Sequence, residues 1–280
     1  MVVVAVLSLK GGVGKTSTLL GLAGASLARG ARTLVVDLDP QANATTALTG
    51  SAPATSDGSG SVVPGPGSRA VPDVAAVLAD PSAATVAATV TASRWSSGAD
   101  GTPPLSGPVV DLLPGSERTG RFDDPSPDAK RRNRLRTALR HAPGYQLVLV
   151  DCPPSLGRLT RNALAAADRA LVVTEPGLFA VHGADLAVRA VRDAVPHNPD
   201  LREAGIVVNR YRERSPEHRF RVGELRSLFG GRLLDPPVPD RAAVARAQEF
   251  SVPVAELPGE QAAALAARYD LLLTQVLAAD

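Results

Sequence analysis

Two lysines bracket a run of glycines in Lys10-Gly11-Gly12-Val13-Gly14-Lys15-Thr16, and Ser17 follows. That spacing suits phosphate chemistry. A glycine loop that opens a helix aims several backbone N–H groups at one point, and the positive end of the helix dipole adds to their pull on an anion. Lys15 is spaced to reach the β- and γ-phosphates of a nucleotide, and the Thr16 hydroxyl to hold Mg²⁺. The ordinary loop, G-x-x-x-x-G-K-[ST], begins with a glycine where this chain has Leu9. Lys10 has no role in that scheme.

Two further segments end in acids. Leu34-Val35-Val36-Asp37-Leu38-Asp39-Pro40 and Leu147-Val148-Leu149-Val150-Asp151-Cys152-Pro153-Pro154 each read as a buried strand that stops at a carboxylate before a proline turn. Open α/β sheets bind ligands at the carboxyl ends of their strands. Asp37, Asp39 and Asp151 are therefore expected near the phosphate loop, and an acid such as Asp151 suits the water shell of Mg²⁺. Cys152, the single cysteine, reads as a small buried filler because no base stands beside it in the sequence.

The elements that position these residues follow from hydrophobic runs. Val2–Ser8, Thr33–Asp37, Val109–Leu113, Leu147–Asp151, Ala170–Thr174 and Gly205–Asn209 are short, apolar and β-branched. Helical patterns cover Thr16–Arg29, Lys130–His141, Leu159–Ala167, Val181–Val195, Glu217–Leu228 and Glu260–Leu277. The alternation predicts an α/β fold: one domain over residues 1–280 with a doubly wound, mostly parallel sheet and helices on both faces. Residues 51–107 read as an insertion. Its Gly-, Pro- and Ser-rich stretches 51–69 and 93–107 are expected to be flexible loops, with short helices at Val71–Leu78 and Pro81–Val90 between them.

At 280 residues the chain is long enough for a substantial core, and with 3% aromatics that core must be Val, Leu and Ala. One cysteine excludes an intramolecular disulfide and paired-cysteine metal sites. The N-terminal apolar run enters the glycine loop too soon for a signal peptide, and no run reaches the roughly 18 apolar residues of a membrane span. A net charge of +2 is too small to draw the whole chain to nucleic acid. The expected setting is cytoplasmic.

Taken together, Lys10–Thr16, Asp37–Asn43, Asp151–Pro154 with Leu156, Thr160, Asn162, Ala163 and Leu164, and the stretch from Glu175-Pro176 to Gly183 resemble the ParA/MinD family of deviant Walker A P-loop ATPases, on its ParA-like branch. The resemblance implies an ATP-dependent homodimer that hydrolyses ATP to ADP and phosphate, slowly and under stimulation by a partner. It assigns Lys10 to the nucleotide of the partner subunit. Gly11, Gly12, Val13, Gly14, Lys15, Thr16 and Ser17 would bind the phosphates, and Thr16, Asp39 and Asp151 would serve Mg²⁺. Asp39 would also orient the attacking water, with Asp37 behind it. Asn209 matches the position that reads adenine, although a plain strand-end turn accounts for it equally well, and Pro239 matches a proline covering the base. Asp240 and Arg246 depart from the family's usual residues.

What such a switch acts on is a separate question. Seven arginines between Arg210 and Arg232 face three glutamates. Arg210, Arg212, Arg214, Arg219 and Arg221 are the candidates for non-specific double-stranded DNA, since ParA-like relatives bind DNA through basic residues in this half; the alternative is a solvated helix face. Nucleoid association and a ParB-like stimulating partner follow from the same resemblance. A MinD-like membrane ATPase would need a basic amphipathic tail, and Ala262–Asp280 has one basic residue, Arg268. No stable membrane anchoring is expected. A metabolic P-loop ligase or synthetase is the third class, for which the sequence offers no His, Cys or Ser constellation.

Overall fold

Every one of the six apolar runs becomes a strand because parallel strands are buried on both faces and demand continuous Val and Leu. In the computed structural model, which describes residues 1–50, 72–96, 107–123 and 132–279, the strands are β1 Val2–Leu7, β2 Arg32–Asp37, β3 Thr91–Ala92, β4 Val109–Leu113, β5 Leu147–Asp151, β6 Arg169–Thr174, β7 Arg202–Val208 and β8 Leu233–Leu234. They form one sheet in the order β3-β4-β2-β5-β1-β6-β7-β8. All neighbours are parallel except β3 and β4.

The helices are α1 Lys15–Ala28, α2 Asn43–Thr49, α3 Val74–Ala79, α4 Ala83–Thr89, α5 Arg134–Leu139, α6 Arg158–Ala166, α7 Ala180–Ala194, α8 Pro216–Phe229, α9 Ala242–Phe250 and α10 Glu260–Leu277. They cover both faces of the sheet. One core joins the sheet to α3, α5, α6, α7 and α8; the other joins it to α1, α2 and α10.

Several elements differ from the sequence expectation. Helices α2 and α9 and the two-residue strands β3 and β8 lack a long apolar run and were not expected. Of the loop expected over 93–107, Arg94–Ser96 instead form a 3₁₀ turn, fixed by Ser93 and Ser96 hydroxyls on the Val110 carbonyl and by the Trp95 indole on Ser251. Residues 97–106, the stretch 51–69 and the first residues of the helices expected at 71 and 130 lie outside the described residues.

The C-terminal helix shows how tightly the second layer is packed. Leu265, Tyr269, Leu272, Leu273 and Val276 recur at helical spacing and are buried, and Arg268 turns inward with them. Arg29, which caps the end of α1, ties the helix from outside through Asp270 and Thr274. The Tyr269 ring lies on Gly21 of α1 so closely that a β-carbon there would collide with it. Gly21→Ala is therefore expected to destabilise the fold by about 1–3 kcal/mol through overpacking. Gly183→Ala in α7, which faces open space, is expected to raise stability by roughly 0.5–1 kcal/mol. Thermal unfolding of the two variants checks both signs.

Candidate functional site

Three adjacent strands end together. β5 lies between β2 and β1, and its pairing sets Asp37 beside Asp151 and Val6 beside Asp151. The phosphate loop leaves β1 at the same end. Sheet register thus brings Asp37 and Asp151 to the end of β1 that leads into the glycine loop, with Asp39 two residues beyond the end of β2.

The loop is shaped to receive an anion. Gly12 and Gly14 stand at φ 82 and 85, conformations that glycine adopts freely. Gly14 is also the N-cap of α1, and no side chain caps the helix there, so its first N–H groups are left for a ligand. Asn209, on the far side, donates its side-chain amide to the carbonyls of Val13 and Gly14 at 3.0 and 3.2 Å. In this structure Asn209 is a strut behind the loop. Pro239 lies beside Tyr211, held by a Tyr211 N–H bond to Val238 and an Asp240 N–H bond to Tyr211.

Lys15 is buried and bonds Asp151 Oδ1 at 2.6 Å, with Asp39 Oδ2 at 3.6 Å. Burial alone would lower its pKa, but the two carboxylates raise it, so Lys15 remains a cation. Thr16 Oγ1 donates to the other oxygen of Asp151 at 2.7 Å. Burial pushes the Asp151 carboxyl up against the pull of Lys15 and Thr16. Asp37 is pushed up to about 7 by burial and by the charge of Asp151. Its Oδ2 accepts the Thr45 hydroxyl and N–H, and Thr45 Oγ1 in turn accepts the N–H of Gly115. Asp37 thus docks α2 onto the sheet and does not face the cavity.

Lys10 behaves differently. It is 63% exposed and pairs with Glu175 Oε1 at 2.5 Å, just past the end of β6. A cavity of about 570 Å³ opens over the loop, bounded by Lys10, Lys15, Thr16, Asp39, Arg210 and Gln248. Gln248 Nε2 donates to Ser17 Oγ at 3.1 Å. Gln248, on the unexpected helix α9, was not singled out from the sequence, and only the helix itself would have revealed it.

The cradle of free N–H groups, a buried lysine and a threonine hydroxyl beside two acids fits the phosphates of a nucleotide together with Mg²⁺. The five arginines offered for DNA do not form one free patch. Arg210 lines the phosphate cavity, Arg212 pairs with Asp240, Arg221 with Glu224, Arg219 bonds the Glu213 carbonyl, and Arg214 is exposed.

A parallel sheet with a glycine loop, lysine and threonine at the end of β1 defines a P-loop nucleotide-binding protein. Residues 4–254 match the family model described as the CobQ/CobB/MinD/ParA nucleotide binding domain, and the chain belongs to that family. It is 32% identical over 257 residues to the chromosome partitioning protein ParA of Caulobacter vibrioides, covering 90% of this chain and 85% of that one. It is 34% identical over 255 residues to the chromosome-partitioning ATPase Soj of Thermus thermophilus, covering 90% and 87%. Among solved structures it is similar to cobyrinic acid a,c-diamide synthase from Mycobacterium smegmatis with bound ADP and magnesium, at 28% identity and TM-score 0.68 over 90% and 92% of the chains. The chain is thus a ParA/MinD-type ATPase, a class to which nucleotide binding is common.

Cys152 sits beside Asp151 and is fully buried, and burial pushes its thiol up to about 12. The folded protein at pH 8 is expected to resist iodoacetamide, with full alkylation after denaturation. Labelling of the folded chain at the rate of a free thiol would show a reactive cysteine instead.

Proposed function

We propose that this chain is a dimerising ATPase switch of the ParA type, which binds ATP with Mg²⁺, closes on a second copy, associates with non-specific double-stranded DNA and is released by hydrolysis. The observation that carries the reading is the contrast between its two lysines: Lys15 is buried in an ion-pair network, whereas Lys10 is exposed at the mouth of the same cavity.

Lys15 and the N–H groups of Gly11 to Ser17 hold the phosphates. When bound, Mg²⁺ neutralises phosphate charge, and Thr16 with Asp39 and Asp151, the acids acting through water, would hold it. Asp39 faces the cavity beside Lys15 and orients the attacking water. Phosphoryl transfer spreads negative charge over the γ-oxygens, and a cation brought by a partner stabilises it as an arginine finger does. Lys10 has the exposure for that task. Its pair with Glu175 is solvated and worth about 1 kcal/mol or less, so a triphosphate on a second copy can outbid it.

The cargo is DNA or a protein assembly, and a ParB-like partner would accelerate turnover. This setting is the nucleoid-associated cytoplasm. The apolar stripe of α10 is buried on α1 and the sheet, so this helix has no free apolar face for a membrane surface, and among the described residues no helix is long and apolar enough to cross a membrane. The likeness to a diamide synthase supports a second reading, a metabolic ligase, which would be stimulated by a small substrate and not by DNA.

Lys10→Ala is expected to abolish ATP hydrolysis and weaken ATP-driven dimerisation, while Asp39→Ala abolishes hydrolysis and keeps the dimer. Light scattering with phosphate release reads both. A monomeric, fully active Lys10→Ala protein contradicts the reading. In mobility shifts and liposome pelleting with ATP, the protein is expected to bind DNA in a salt-sensitive way and to leave vesicles unbound.

A further inference from the structure

Arg210 follows Asn209 directly, and its backbone stands at φ 55, in the left-handed region that side-chain-bearing residues adopt at a cost. Two other non-glycine residues of the described chain share that conformation, Ala42 and Ser251. Both are helix caps, of α2 and α9, where the turn accounts for it. Arg210 caps no helix; α8 begins later, at Pro216, with Ser215 as its cap. Strain of this kind persists where it aims a side chain.

The aim is toward the phosphate loop. Arg210 Nε lies 3.8 Å from the place a β-carbon on Gly14 would occupy, and the side chain bounds the phosphate cavity beside Lys15, Thr16 and Ser17. It also borders the neighbouring polar cavity of about 320 Å³ next to Glu175 and Asp240. Three of the arginines around it are engaged elsewhere: Arg212 with Asp240 at 2.7 Å, Arg221 with Glu224 at 2.8 Å, Arg226 with Asp235 at 2.6 Å. Among the described residues no ion pair holds Arg210.

We infer that Arg210 belongs to the nucleotide site and not to a DNA surface: its guanidinium contacts the phosphate chain of the bound nucleoside di- or triphosphate from the Gly14 side. A planar guanidinium fork matches two phosphate oxygens at once, which a lysine cannot do. The inference rests on the nucleotide-binding part of the proposed function alone. It needs neither the dimer nor DNA.

The test is calorimetric titration of Mg-ADP and Mg-ATP into the full chain, with thermal unfolding alongside. Arg210→Ala is expected to weaken both nucleotides on the order of tenfold, with partial recovery in Arg210→Lys and no change in Arg226→Ala. Arg210→Gly is expected to lose the same affinity while melting no lower than the wild-type chain, because glycine relieves the left-handed strain. A merely structural arginine would lose affinity and stability together, which overturns the inference. Affinities within twofold of wild type in Arg210→Ala and Arg210→Gly overturn it too, with or without a loss of DNA binding. A wild-type chain that binds neither nucleotide overturns the ATPase reading as a whole, an outcome distinct from the failure of Arg210.

Discussion

Lys15 cannot be buried without an anion beside it, and the rest of the site is arranged around that requirement. An isolated ammonium in a protein interior costs several kcal/mol of lost hydration, which is repaid only by a paired and hydrogen-bonded carboxylate. Asp151 supplies one oxygen to Lys15 and the other to Thr16. That pairing is possible only because β5 lies between β1 and β2, so that its last residue falls beside the start of the glycine loop. Strand order, the inward turn of α1 and the position of Asp39 all serve one buried cation. A phosphate entering the cradle offers that cation a second anion, and the network can pass Lys15 from Asp151 to the ligand without leaving it unpaired.

The parts of this arrangement that depend on local pattern were legible in the sequence. Val3 to Leu7, Leu34 to Val36 and Leu147 to Val150 announce strands buried on both faces, and the acids that end them sit where an open sheet holds ligands. The glycine loop carried its own meaning. Strand order did not follow from pattern, because the pairing of β5 with both β1 and β2 is a long-range choice. Helix α2 has no apolar run to announce it, although Gly50, at φ 68, is a glycine stop just past its end. Its placement depends on the Asp37–Thr45–Gly115 chain of hydrogen bonds, and Gly115 is distant in sequence.

The arginines show a different limit. As a string of seven they read as one basic stretch, yet four of them, Arg212, Arg221, Arg226 and Arg232, pair separately with Asp240, Glu224, Asp235 and Glu203. Counting charges along a segment measures attraction at long range. It does not say which charges remain free once the chain is folded. Asn209 makes the same point in the opposite direction, since a residue at a strand end also braces the phosphate loop from behind, a contact no local pattern announces.

Lys10 and Lys15 are held in opposite ways. A buried ion pair is costly to break, so Lys15 must stay engaged through every state of the site. It therefore can report nothing about a second subunit. An exposed pair such as Lys10 with Glu175 is held weakly, so small changes in what faces it change its partner. Leu178 and Phe179, three and four residues beyond Glu175, are among the most exposed apolar side chains of the described chain. Apolar area there adds a driving force for association that charge alone lacks, because burying it does not require stripping an ion of water. The loosely held cation is thus paired with an acid that stands only a few residues before an uncovered apolar pair in the chain.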